Sequence, residues 1–165
     1  MKLESLHELF IEELQDLYSA ENQILEALPK MIEKAQSPDL RRGFQSHLEQ
    51  TRGHVRRLDQ IFDQLGKDVD RNGKTCKGMK GIIKDGEDVV KAKGEPEVRD
   101  AGMIAGAQRV EHYEIAGYGT VRTYAEQLGH RDWAQLLEQT LQEEKDTDLK
   151  LSQLAGHINI EARAA

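Results

Sequence analysis

Cysteine occurs once, at Cys76, proline three times, and aromatic residues make up only 5% of the 165-residue chain. A single cysteine excludes an intrachain disulfide and any cysteine-rich zinc or iron–sulfur site. So few prolines and aromatics, beside abundant Glu, Gln, Leu, Ala and Lys, favour helices over strands. No run of about 18 apolar residues is present, as a membrane-crossing helix would need. The opening "MKLESLHELFIEELQDLY" also lacks the basic start and unbroken apolar core of a signal peptide. The expectation is a soluble, cytoplasmic protein with no membrane partner. A basic excess is missing too: 23 Lys and Arg stand against 30 Asp and Glu, a net charge of -7. That balance argues against a phosphate backbone, hence against a nucleic-acid partner. The length suits one domain with a real core, which we read as residues 1–160 followed by a frayed tail at 161–165.

What is present is helical periodicity. Leu6, Phe10, Leu14, Leu17, Ile24, Leu28, Met31 and Ile32 recur every three or four residues and predict one amphipathic helix from Leu3 to about Ala35, with Pro29 as a point of kinking or division. In "SPDL", Ser37 is a helix N-cap and Pro38 the first helical residue. The second helix carries Leu40, Phe44, Leu48, Val55, Leu58, Ile61, Phe62 and Leu65, and Gly66 stops it. A polar loop, "GKDVDRNGKTCKG", precedes a short helix, "MKGIIKDGEDVVKAK". Pro96 opens a third long helix to about Leu128, and Asp132 is read as the cap of a fourth. The predicted fold is all-α: an antiparallel four-helix bundle with an additional short helix in a long crossover.

Each long helix also brings ligand-type groups to its apolar stripe. Glu21 falls between Leu17 and Ile24 on the first helix; His47, with His54 at the margin, lies on the second. Glu114, with Glu111 one turn before it, faces inward on the third, and Glu144 and Asp148 do so on the fourth. All lie near mid-helix. Buried carboxylates without partners cost several kcal/mol each, so a cluster needs cations, shared protons or water. Two divalent ions answer that need, and carboxylate with imidazole suits iron or manganese. The plainer alternatives are a solvated edge for Glu21, pairing of Glu144 and Asp148 with Lys145 or Lys150, and surface or core hydrogen bonding for the histidines. Glu143 and His112 are read as surface or supporting groups, and the tyrosines as packing residues able to support a carboxylate. Gly102 and Gly106 in "AGMIAGA" suggest close approach of a neighbouring helix.

The stretches "LYSAENQILEALPKM", "FQSHLEQTRGHVRRLDQIF", "DAGMIAGAQRVEHYEIAGYGTVRTYAEQLG" and "LLEQTLQEEKDTDLKLSQLA" resemble the YciF/YciE-like bacterial stress proteins of the ferritin-like superfamily. The resemblance covers nearly the whole chain and implies a dimeric antiparallel bundle made under stress, of undefined biochemical activity. The third helix is also similar to that of rubrerythrin, a di-iron peroxidase, with two acids three apart followed by a tyrosine. That likeness implies Glu111 and Glu114 as ligands and matches Glu21 to the single acid of the first helix. The other two helices depart from the E-x-x-H pattern. "TRGH" keeps His54 with Thr51 in place of the acid, and "EKDT" keeps Glu144 with Thr147 in place of the histidine. Asp148 and His47 would then have to substitute, or the site holds one metal or none. The implied function is a metal-binding stress protein, with peroxide or oxygen as the small oxidant. The alternative is a non-catalytic dimeric scaffold with a degenerate site.

Overall fold

The computed structural model describes residues 4–165, and among these every regular element is a helix: α1 Leu6–Lys34, α2 Pro38–Leu65, α3 Lys77–Lys91, α4 Pro96–Gln127 and α5 Arg131–Ala164. The start read at Leu3 lies outside the described residues; α1 begins at Leu6, where the Ser5 hydroxyl accepts the Glu8 N–H. Pro29 sits on the exposed face and does not divide the helix. Ser37 caps α2 as expected, and Gly66 ends it at φ +97°, a conformation that favours glycine. At the last junction the expected cap is corrected. His130 takes the N-cap position without a side-chain cap bond, and Asp132 lies inside the first turn, where its charge still faces the positive helix end. The chain has already turned at Gly129, φ +84°, so the helix starts two residues too early for Asp132 to cap it.

The four long helices form a ferritin-like antiparallel bundle. Side-chain partners fix the directions: Arg57 with Thr140, Gln50 with Thr147 and Gln64 with Trp133 run α2 against α5. Arg122 with Glu138 and Gln108 with Ser152 run α4 against α5. The crossover from α2 to α4 carries α3, which lies over the groove between α1 and α4. Gly102 lets it settle there. A Cβ on Gly102 would stand 2.6 Å from Val89 Cγ1, whereas one on Gly106 would make only ordinary contact, 3.7 Å from the Gly86 Cα. The helix that the "AGMIAGA" stripe receives is therefore α3 of the same chain.

The core is split in two. One apolar cluster gathers Phe10, Leu14, Leu58, Phe62, Tyr118, Val121 and Leu137; the other gathers Ile24, Leu28, Leu40, Phe44, Met103, Ile104 and Leu151. In all four long helices the sequence passes from one cluster to the other through buried polar residues: Glu21 on α1, His47, Thr51 and His54 on α2, Glu111 and Glu114 on α4, and Glu144 and Thr147 on α5. A polar layer thus crosses the bundle at mid-height. Asp100 is a buried acid of another kind. Its carboxylate accepts the Gln36 and Ser37 N–H groups at 3.0 and 2.6 Å and ties the α1–α2 turn to α4. Its role is structural and its oxygens are occupied.

Candidate metal centre

The polar layer contains six ligand-type side chains, Glu21, His47, His54, Glu111, Glu114 and Glu144, none more than 4% exposed. His47, Glu111, Glu114 and Glu144 each offer one ligand atom within 4.8 Å of the others, and Glu21, His54 and Glu144 do the same. Glu144 belongs to both groups, so the layer has two halves joined at one carboxylate.

The two halves are built differently. His54 Nδ1 lies 2.9 Å from Glu144 Oε1 and 3.3 Å from Glu21 Oε1, while its Nε2 meets Glu143 Oε2 at 2.9 Å. Glu143 is itself gripped through both oxygens by Arg57, at 2.8 and 2.9 Å, and Arg57 also donates to Thr140. A histidine whose far nitrogen donates to a carboxylate has its near nitrogen set as a ligand. Tyr118 donates its hydroxyl to Glu21 from α4. In the other half His47 Nε2 is 3.3 Å from Glu111 Oε1, and both ring nitrogens of His47 lack hydrogen bonds.

Short distances without hydrogen bonds are the signature of the layer. Glu21 Oε2, Glu111 Oε2, both oxygens of Glu114 and Glu144 Oε2 are buried and have no hydrogen-bond partner, while His54 Nδ1 and Glu144 Oε1 meet as an ion pair at 2.9 Å. Buried polar atoms are normally satisfied, and each orphan costs about 1–3 kcal/mol. Atoms that crowd together yet do not bond one another point at common centres, as ligands do. Burial, and then the neighbouring Glu144, push the Glu111 and Glu114 carboxyls well above the usual range. Burial also raises Glu21, although His54 opposes it. His54 goes the other way: burial disfavours its charge, but Glu21 and Glu144 outweigh that and hold it up to about 11. Burial keeps His47 below its usual value and therefore neutral. Without metal, the layer thus sets carboxyls of raised pKa around one imidazolium. This donor set fits divalent ions that accept carboxylate oxygen and imidazole nitrogen.

Of the seven residues expected from the sequence, six meet in the layer. Asp148 is not brought to it. It stands about 40° around α5 from Glu144, on the side toward α4, where it accepts from Gln108 at 3.1 Å and pairs with the exposed His112 at 3.3 Å. The inward position on the next turn belongs to Thr147. That threonine and Thr51 do not replace the missing ligands: each donates to the carbonyl four residues back, Glu143 and His47 respectively, at 2.9 Å. His47 makes up for the halved "TRGH" from two turns away on the same face as His54. Sequence reasoning missed Arg57. Its only signal was a pair of arginines beside the apolar stripe, one turn after His54.

Fold and site together define a class: a ferritin-like helical bundle with a carboxylate–imidazole layer at its centre. Residues 5–164 match the family described as a domain of unknown function, DUF892, and the chain belongs to that family. It is similar to protein YciF of Escherichia coli strain K12, with 44% identity over 163 residues and 98% of each chain covered. The crystal structure of that E. coli stress protein superposes with a TM-score of 0.90 at 43% identity, over 94% of this chain and 98% of the other. The structure of YcfI from Rhodopseudomonas palustris gives a TM-score of 0.86 at 43% identity, over 92% and 95%. Among the described residues no helix is long and apolar enough to cross a membrane.

Proposed function

We propose that this chain is a cytoplasmic, homodimeric stress-response protein that holds a pair of divalent metal ions, iron or manganese, in its central layer. The observation that carries this reading is the set of buried, unpartnered ligand atoms from all four long helices. Glu111, Glu114 and His47 would hold one ion, Glu21 and His54 the other, with Glu144 between them. A bound iron pair supplies electrons for reduction of oxygen or peroxide. The chain's own residues do the rest: Arg57 and Glu143 orient His54, Tyr118 holds Glu21, and the two apolar clusters flank the layer on either side. Similarity to a stress protein supports the biological setting.

The test is elemental analysis of protein purified after iron or manganese supplementation, with near-ultraviolet spectra after exposure to oxygen. About two ions per chain are expected, and the double substitution Glu114→Gln with Glu144→Gln should abolish binding. Metal near zero would sink the reading and leave a scaffold that merely inherited the bundle.

A further inference from the structure

A cavity of about 200 Å³ lies between α1, α3 and α4, beneath the short crossover helix. Its walls are apolar, formed by Ile24, Leu28, Met31, Ile83, Val90 and Met103. At one end stand Lys30, Glu87 and Lys91; the two lysine side chains are 65% and 69% exposed. At the other end are His47 and Glu111, both buried. The cavity therefore runs from solvent to the half of the polar layer whose groups are not held in place by a supporting shell.

Several observations identify what would fill it. Apolar cavities of roughly 150 Å³ stay dry and take up guests the size of benzene. The space is far too small for a helix or a folded partner. At the mouth Glu87 pairs with both Lys30 at 3.2 Å and Lys91 at 3.0 Å, and the lysines stand in water, so the buried inner end decides which polar group a guest can carry inward. The inner end has both nitrogens of His47 and Glu111 Oε2 without hydrogen-bond partners. A charged carboxylate there would join Glu111, Glu114 and Glu144, which already crowd one another. An uncharged oxygen can both donate and accept.

We propose that this cavity binds a small hydrocarbon-chain molecule of about six to eight carbons, admitted past Lys30 and Lys91, with one uncharged oxygen group lodged at His47 and Glu111. Metal binding is not required for this. The proposal rests on the central-layer reading only in that the oxygen end faces that layer, and it supplies the substrate class that such a layer would meet.

The experiment is calorimetric titration of the metal-free protein with 1-heptanol and with heptanoate. Saturable one-site binding of heptanol is expected, with heptanoate weaker by about tenfold or more. Ala27 lines the cavity, and Ala27→Leu should weaken heptanol about tenfold or more by filling the space of three methylene groups. Ile83→Ala should move the preferred alcohol longer by about one or two carbons. Absence of saturable binding, or tighter binding of heptanoate, overturns the proposal. So does an unchanged affinity in an Ala27→Leu protein that melts as the parent does. Should Ala27→Leu not fold, the chain-length shift in Ile83→Ala decides, and no shift counts against the cavity. Because no metal is present, heptanol binding can fail while metal binding stands, and the reverse.

Discussion

The two halves of the central layer have the same kinds of residue and opposite surroundings. Around His54 every outward-facing group is held: Glu143 by Arg57, Arg57 also by Thr140, and Glu21 by Tyr118. Around His47 no such shell exists, and instead two cavities reach the same residues. One is the apolar space under α3; the other, of about 40 Å³ between α2, α4 and α5, also touches His47 and Glu111. One half is built for position and the other for access. A ligand field that must admit a guest cannot also be braced on every side.

Removing the two histidines should separate the halves most sharply. His54→Ala leaves Glu21 and Glu144 without their cation and should destabilise the metal-free protein by about 3–5 kcal/mol. His47→Leu removes a neutral ring with no hydrogen bonds and should leave stability unchanged or raise it by about 1 kcal/mol. Urea unfolding of the two variants reads this difference, and equal losses would break the comparison. Metal content should follow the same line. His47→Leu should retain about one ion per chain instead of about two, whereas His54→Ala should lose the braced position first. Atomic emission on dialysed protein checks this, and loss of both ions in His47→Leu would mean that the halves do not bind separately.

A smaller effect is expected at Tyr118, whose ring is fully buried among apolar residues and whose hydroxyl donates to Glu21. Tyr118→Phe keeps the packing and removes one hydrogen bond, for about 1–2 kcal/mol. If the shell around His54 matters for position, the same variant should also lower the affinity for the second ion without changing how many ions bind at saturation. An unchanged affinity would reduce Tyr118 to a packing residue.

Much of this contrast was hidden in the chain. The helix ends at Ser37–Pro38, Gly66 and Pro96 carry local signals that act within a turn, and they are where the sequence places them. The inward acids were legible for a similar reason: Glu21, Glu114 and Glu144 sit mid-stripe, where a 3.6-residue period leaves little choice of face. Asp148 and Thr147 flank the direction of Glu144 by about 40° and 60° on opposite sides; the first side faces α4, where the aspartate meets Gln108 and His112, and the second faces Gln50 of α2, where Thr147 is buried. Arg57 and Glu143 meet across α2 and α5, and the cavity depends on where α3 lands. Those relations are set by tertiary register, which no local pattern encodes.

The pH dependence is the finest test, because it asks which half carries the protons. Glu111 and Glu114 are held well above the usual carboxylate range by burial and by Glu144, so without metal they keep their protons to higher pH than ordinary carboxylates do. Groups with raised folded values contribute stability that is full below their unfolded value and is lost as pH rises through the folded one. The metal-free protein should therefore weaken as pH increases through the range where these acids ionise. His54, held up to about 11, stays charged across this range, and His47, held low, stays neutral. Metal binding reverses the trend, since ligands must be deprotonated and their protons are released. The gap in melting temperature between metal-loaded and metal-free protein should widen from pH 5.5 to pH 8, values that bracket roughly neutral conditions. Calorimetry in buffers of different ionisation enthalpy should detect on the order of two to three protons released, that of the His54 imidazolium among them. Glu111→Gln should abolish about one of them, and an unchanged release would move the protons to Glu21 and the braced half.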